Sequence, residues 1–492
     1  GDSVKMESSL PQGTHEYLFA TKSYPIAELA QGGKLALKFQ VNGSLDCICV
    51  CMFLDEGGNK IAPQYPRANA MVELELPPKA HSIRLGFRPK GEGECVIKGI
   101  TLGKGASSGK GCFLSRSNVL VLTNQYPSPE SLYRNMFVHR RVECYREAGL
   151  LVDVMRMNVY CQENYWEFEG VNGSDGQLME LDNILENGNI DTVCVHFLDE
   201  GMWEVLRNYA HKLRILVWTH GIDIQPWHRR MCNYGSDAEI EQAKRQSAPK
   251  EKFWQKLFSQ LDQYPQLHFV FVSQIFANEV FEDYHVELPK DRYSIIPNCV
   301  DTGLFCYRKK DPEQRKKLLS IRPYVSNNYG NDLTVKCIQE LAQEPWFNEL
   351  DIRIIGSGVL FDSTVQPLKK YPNVTLEKRF LRQDEIAAIH KEYGVLLVPT
   401  RLDTQGVSRD EAMAGGLVPV TNAVQAVPEF VDDDCAILVP PEDYKAMAQG
   451  IRELYASPEK FCRMSENAVK RVFSQTSREF TVDKEIALIR KD

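Results

Sequence analysis

No apolar run in this 492-residue sequence is long enough to cross a bilayer. Residues 1–30 lack the apolar core of a secretory signal, and Gly1 before Asp2 reads as a cloning remnant. Positive charge is not in excess: the net charge is −8, which argues against a general nucleic-acid binder. A disulfide framework is missing too. The 14 cysteines are scattered and form no C-x-x-C pair, and Cys47, Cys49, Cys51, Cys194 and Cys337 lie in apolar runs. They read as reduced core residues in a reducing compartment. The expected location is the cytoplasm, with peripheral association at the inner face of a membrane left open. In that setting the sequons at Asn42-Gly43-Ser44, Asn172-Gly173-Ser174 and Asn373-Val374-Thr375 are turn-like segments, not glycosylation sites.

What is present is a globular composition, 43% hydrophobic and 25% charged, in a chain too long for one core. Residues 1–105 carry period-two alternation: Leu35, Leu37, Phe39 and Val41, then Val72, Leu74 and Leu76, then Ile83, Leu85 and Phe87. Asn42-Gly43, Glu56-Gly57-Gly58 and Lys90-Gly91 punctuate these runs, and the spacing predicts a small β-sandwich. A glycine- and serine-rich linker covers 106–117. Beyond it, apolar runs alternate with helical stretches. Runs at 118–123, 151–155, 192–197, 215–219 and 268–273 predict the strands of a first α/β domain over 118–303. Runs at 318–322, 352–355, 374–378, 395–399, 418–421 and 436–439 predict those of a second over 304–470, with a final helix in 471–492 returning to the first. The fold class expected is α/β: two tandem Rossmann-like domains facing a cleft, preceded by the sandwich. Ligands of such sheets bind at the carboxyl ends of the strands.

The segment from Pro399 to Pro419 carries the most chemistry. An apolar strand leads into a loop with Asp403, then Gly406, then a helix through Glu411 to Gly415. A helix start exposes unpaired N–H groups and the positive end of its dipole, and glycine lets a ligand approach the backbone, so the segment suits a diphosphate. Asp403 can bind sugar hydroxyls and Glu411 a ribose diol. A solvated loop acid and a helix-surface glutamate fit the same spacing.

Here the sequence resembles the retaining glycosyltransferases of the GT-B fold, family four (glycosyl transferases group 1). Their signature is an acid, seven residues, then Glu-Ala-Met-Ala-x-Gly; this chain has Asp403, then Glu411-Ala412-Met413-Ala414-Gly415-Gly416. The usual first acid is Glu, so Asp403 departs from the pattern. Ala426-Val427-Pro428-Glu429-Phe430 and Ile437-Leu438-Val439-Pro440-Pro441 extend the likeness downstream, and Ile296-Pro297-Asn298-Cys299-Val300-Asp301 upstream. The resemblance covers roughly 118–492 and not the β-rich start.

The resemblance implies donor binding through Arg322, the backbone of Gly406, Val407 and Ser408, and Glu411. Tyr329-Gly330 stands where a Lys-Gly is usual, so the second diphosphate cation is missing from its place; Asn327, Asn328 and Lys378 are candidate substitutes. Lys378 and Phe380 fall where the family seats the base. His220 is expected to face the transferred sugar, with His220, Asp403 and Arg322 as the catalytic set. On the acceptor side stand His196 and, in a first loop without glycine, Arg134 and Asn135. No strand-associated Asp-x-Asp pair is present and Asp432-Asp433-Asp434 reads as a surface turn, so no metal and no cofactor is expected. The implied activity is retaining transfer from a nucleotide-sugar, a UDP-sugar first, to a glycan, lipid-linked or protein acceptor. Tyr17, Phe19, Tyr24, Tyr65 and Phe87 are available for sugar stacking in the sandwich. A non-catalytic carbohydrate-binding or assembly protein, a sugar-nucleotide epimerase and a phosphorylase are the competing readings.

Overall fold

A computed structural model describes residues 4–30, 34–66, 68–69, 71–103, 117–129, 131–132, 134–157 and 165–490. The expected linker lies outside these residues up to position 116. The chain divides into two compact units, residues 1–125 with 153–191 and residues 126–152 with 192–492.

The first unit begins with eight strands: β1 (Val4–Ser9), β2 (Leu18–Pro25), β3 (Leu35–Gly43), β4 (Asp46–Leu54), β5 (Lys60–Gln64), β6 (Met71–Leu74), β7 (Ser82–Lys90) and β8 (Glu92–Leu102). They form two antiparallel four-stranded sheets, ordered β1-β8-β3-β6 and β2-β7-β4-β5. Period-two alternation sends Leu35, Leu37 and Phe39 of β3 into one core with Cys49, Cys51 and Phe53 of β4, all fully buried. These cysteines are free thiols serving as small apolar side chains. The unit continues with β9 (Val119–Thr123), β10 (Asp153–Met157), β11 (Tyr165–Phe168) and β12 (Val171–Gly176), in the order β11-β12-β10-β9. Asn172-Gly173-Ser174, expected as a turn, is strand. It pairs with β11 on one side and β10 on the other, and two ladders of hydrogen bonds override the local turn preference.

The second unit holds two parallel sheets. The first contains β13 (Thr192–His196), β14 (Arg214–Thr219), β15 (Leu267–Phe271) and β16 (Tyr293–Ile295), paired in that order. Its helices include α1 (Met136–Glu147), α2 (Glu200–Tyr209), α3 (Asp237–Ser259) and α4 (Gln274–Tyr284). The second contains β17 (Lys317–Ile321), β18 (Asp351–Gly356), β19 (Val374–Lys378), β20 (Val395–Leu397), β21 (Val418–Asn422) and β22 (Ile437–Val439). Its order is β19-β18-β17-β20-β21-β22. Among its helices are α5 (Asn331–Leu341), α6 (Gln383–Glu392), α7 (Val407–Ala414), α8 (Tyr444–Ala456) and α9 (Pro458–Gln475). Both faces of this sheet are covered, which is why its strands read as unbroken apolar runs. Leu318, Ile352, Ile354 and Val395 enter one core, while Leu319, Ile355 and Leu396 enter the other.

The chain therefore carries two Rossmann-like α/β regions and an N-terminal β-rich region, the fold class read from the sequence. Among the described residues no helix is long and apolar enough to cross a membrane. The strand order reverses at β17: β18 and β19 extend to one side and β20 to β22 to the other. The loops after β17 and β20 part there and leave a crevice at the carboxyl end of the sheet.

The last helix, α10 (Arg478–Arg490), packs against the first sheet of this unit. Glu485 on α10 is fully buried; it accepts from Arg141 Nε at 2.8 Å, the Tyr145 hydroxyl at 2.6 Å and Trp218 Nε1 at 3.1 Å. Glu485→Ala leaves the Arg141 charge buried without its partner. It is expected to lower unfolding stability by about 3–5 kcal/mol, read from the urea midpoint.

Candidate functional site

A cavity of about 440 Å³ occupies the crevice. Arg322, Asn328 and Tyr329 line it from the loop after β17, and residues 402–408 from the loop after β20. From the first sheet's side come Phe137, Phe197, His220, Gly221, Ile222, Gln225, Arg230 and Asn298. The geometry brings His220, Arg322, Tyr329, Asp403, Gly406, Val407 and Ser408 together, although they are spread over nearly 190 positions of sequence.

The helix start is open to the cavity. Gly406 adopts φ 100°, ψ 52°, a left-handed conformation that side chains resist, and no side chain caps α7. A methyl at Gly406 would stand 2.8 Å from Arg409 Nη1. Arg409 is buried against Asp410 at 2.7 Å, so it belongs to the support of the loop and not to the cavity. Arg322 is buried, and its Nη1 donates to Ser408 Oγ at 3.1 Å. Its guanidinium lies 5.0 Å from the centre of the Tyr329 ring. Tyr329, standing where a lysine is usual, thus contributes a cation–π face that holds Arg322 in place. Gly330 allows the two loops to touch, since a Cβ there would stand 3.1 Å from the Pro399 carbonyl carbon. The Asn328 carbonyl fastens them by accepting from Arg401 N at 2.7 Å and from the Thr400 hydroxyl at 3.0 Å.

Asp403 builds its own turn: Oδ1 accepts from Gln405 N at 3.1 Å. The buried Gln405 side chain then clasps Asn298, accepting from its backbone N–H at 2.6 Å and donating to its carbonyl at 3.0 Å. One amide therefore ties the loop after β20 to the segment between the two sheets. Glu411 does not line this cavity. Its Oε1 accepts from Gln383 Nε2 at 3.2 Å, and Gln383 in turn accepts from Arg140 Nε at 2.9 Å. Burial, reinforced by the Asp410 charge, pushes the Glu411 carboxyl up to about 8.

His196 ends β13 and His220 follows β14. His196 Nδ1 lies 3.0 Å from His220 Nε2, so one ring donates and the other accepts. His196 stacks on Trp218, while Phe137 and Phe197 flank His220 with ring centres 4.7 Å away. Burial, with the Arg141 charge as a further cause, lowers both rings well below the ordinary imidazole range. The pair is therefore neutral at pH 7. The loop carrying His220 is held from below. Asp223 accepts from His220 N at 3.0 Å, Trp254 Nε1 donates to the Asp223 carbonyl at 2.8 Å, and the Tyr284 hydroxyl donates to the Ile224 carbonyl at 2.6 Å.

Other expected residues stand apart from this cavity. Lys378 is paired with Asp362 at 2.6 Å with half its side chain exposed. Phe380 is exposed, and Arg134 is exposed at the approach to α1. Asn135 takes a left-handed φ of 53° at the start of α1. Of the other two candidates for the missing cation, Asn328 lines the cavity and Asn327 does not. Asn327 Nδ2 donates to the Cys232 carbonyl at 3.1 Å, and Asn328 Oδ1 accepts from Asn233 Nδ2 at 2.7 Å. In the sandwich Tyr17 and Tyr65 are exposed with their hydroxyls 3.3 Å apart, whereas Tyr24 and Phe87 pack on the core. Gln225 and Arg230, which do line the cavity, escaped the sequence reading. Both lie between β14 and α3, Gln225 in a loop and Arg230 in a helical segment of seven residues, too short for periodicity to mark a side chain's direction.

Residues 315–457 match the family described as Glycosyl transferases group 1. Over 213 residues the chain is 24% identical to the MMP alpha-(1->4)-mannosyltransferase of Mycolicibacterium hassiacum. That match covers 42% of this chain and spans half the length of the curated relative, 50%. Among solved structures, sucrose-phosphate synthase from Thermosynechococcus elongatus superposes with a TM-score of 0.58 at 15% identity, over 76% of this chain and 98% of that one. WaaG, a glycosyltransferase involved in lipopolysaccharide biosynthesis, gives 0.55 at 14%, over 76% and 100%. HepE of Anabaena in complex with UDP and glucose gives 0.53 at 12%, over 76% and 99%. At these identities the solved structures establish a shared fold.

The Glu411 shift sets a pH dependence. Its folded value of about 8 stands above the ordinary 4.5, so between those values the unfolded chain releases a proton that the folded chain keeps. Stability from this group is therefore lost as pH rises through that window. Glu411→Gln is expected to melt higher than the parent at pH 8 and to match it at pH 4, read by thermal denaturation without added nucleotide.

Proposed function

We propose that this chain is a retaining glycosyltransferase that moves a sugar from a nucleotide-sugar, a UDP-sugar first, to a glycan hydroxyl. The observation that carries the reading is the shared position of Arg322 and the uncapped start of α7 at the strand-order reversal. A fixed guanidinium and free backbone N–H groups at one point are what a diphosphate needs. The family likeness over residues 315–457 falls on the same sheet. HepE is solved with UDP and glucose, which supports the uracil nucleotide as the first donor to try.

In this reading Arg322 and the α7 terminus hold the donor diphosphate, and Glu411, which stands outside that cavity on the same helix, takes the ribose diol. His220, neutral and walled by Phe137 and Phe197, presents an uncharged polar edge to the transferred sugar. Asp403 binds sugar hydroxyls from the loop after β20. The C1–O bond to the diphosphate breaks as the acceptor oxygen bonds C1 on the same face. The acceptor proton passes to the departing diphosphate oxygen, whose charge Arg322 stabilises. No metal takes part. WaaG acts in lipopolysaccharide biosynthesis, and surface polysaccharide synthesis is the setting we favour here. The exposed Tyr17 and Tyr65 pair gives the sandwich a surface on which a longer acceptor can rest.

Mass spectrometry of products from a nucleotide-sugar panel tests the activity, and proton NMR of the new anomeric centre tests retention. Glu411→Ala is expected to abolish turnover, and Arg322→Ala to lower kcat by about 10²–10³. Near-normal transfer by the Glu411 variant overturns the assignment. Removal of residues 1–105 is expected to slow transfer to a long glycan more than to a short one; an equal effect on both refutes the acceptor role of the sandwich.

A further inference from the structure

The missing lysine leaves a chemical question: a diphosphate carries more charge than Arg322 alone neutralises, and Tyr329 supplies none. Two adjacent arginines in the short helical segment 227–233 answer it by contrast. Arg229 is saturated: its Nε lies 3.1 Å from both Asp283 oxygens, and its Nη2 reaches Asp283 at 2.8 Å and Glu282 at 2.9 Å. Arg230 is partly buried and lines the cavity. Among the described residues its side chain makes no hydrogen bond or ion pair, and its Nε is buried without a partner. Burial lowers its affinity for a proton, and Tyr234, Asp223, Tyr329 and Cys232 offset that loss only in part.

An arginine partly withdrawn from water and left unpaired carries a desolvation cost that a bound anion would offset. The backbone at Arg230 also departs from the helical conformation around it, with φ −115° and ψ 25°. The segment is held beside the loop after β17: Asn233 Nδ2 donates to Asn328 Oδ1 at 2.7 Å, and Asn327 N donates to Asn233 Oδ1 at 2.9 Å. Arg230 therefore stands among the residues around Tyr329, where the lysine is absent.

We propose that Arg230 supplies the second cation of the diphosphate site, reaching across the crevice from the side of the first sheet. This rests on the nucleotide-sugar reading above. The lysine's charge has moved from the donor sheet's own loop to the opposite wall. The anion is then bound jointly, by Arg322 and the α7 amides on one side and by Arg230 on the other. Because Arg230 approaches from the opposite wall, it acts on the diphosphate only when the walls are together.

The test is calorimetric titration of the full chain with UDP, GDP and ADP, each beside its nucleoside. The parent protein is expected to bind one nucleoside diphosphate more tightly than the matching nucleoside. Arg230→Ala and the near-isosteric Arg230→Gln are expected to weaken that diphosphate by about tenfold to a hundredfold and to leave the nucleoside unchanged. Arg230→Lys, a point charge without the planar fork, is expected to restore part of the loss. If the parent prefers no diphosphate to its nucleoside, the donor reading itself falls. If it does prefer one, and both neutral variants with unchanged urea midpoints bind it as tightly as the parent, the role of Arg230 alone is overturned.

Discussion

A parallel sheet that grows in two directions from one strand must part its loops where the direction changes, and the candidate site depends on that parting. β17 is the strand from which β18 and β20 diverge. The loop after it delivers Arg322 and Tyr329; the loop after β20 delivers Asp403 and Gly406. The gap does not collapse, because Gly330 lies directly on Pro399 and the Asn328 carbonyl bridges to Thr400 and Arg401. The loops touch at their bases and stay apart at the cavity.

The electrostatics follow from burial. His196 and His220 are kept neutral, and burial pushes the Asp223 carboxyl up to about 6 and the Glu411 carboxyl to about 8. The two histidines thus add no positive charge, the two carboxyls hold a proton more readily than in water, and guanidinium groups keep their protons under the same burial. The positive charge in the lining of the cavity therefore comes from guanidinium groups, those of Arg322 and Arg230.

The sequence exposed this site unevenly, for physical reasons. Gly406 was legible because a strand, a glycine and a helix in succession are local features, and the structure forms each of them; Glu411 lies on the same helix but outside the cavity. Arg322 was legible because it follows a continuous apolar strand. Lys378 and Phe380 were placed at the site by their strand's position, yet Lys378 satisfies its charge with nearby Asp362. Tyr329 looked like a loss in one dimension. In three it is the ring beneath Arg322, a relation between residues seven apart in irregular backbone. Arg230 was hidden most deeply. Its importance lies in having no partner while its neighbour Arg229 has three acids around it, and no pattern in the chain separates the two.

The contacts named across the crevice share one property. Asn233 meets Asn328, Asn327 meets the Cys232 carbonyl, and Gln405 clasps the Asn298 backbone. Gln425 reaches Glu279 at 3.0 Å, and Glu429 accepts from the backbone N–H groups of Gln274 and Ile275 at the start of α4. None of these joins two ions of opposite sign. Dissolved salt screens a charge pair far more than an amide pair, so the two walls can hold together with equal ease in dilute and in concentrated electrolyte. Ionic strength then acts on what enters between the walls and leaves their mutual grip untouched.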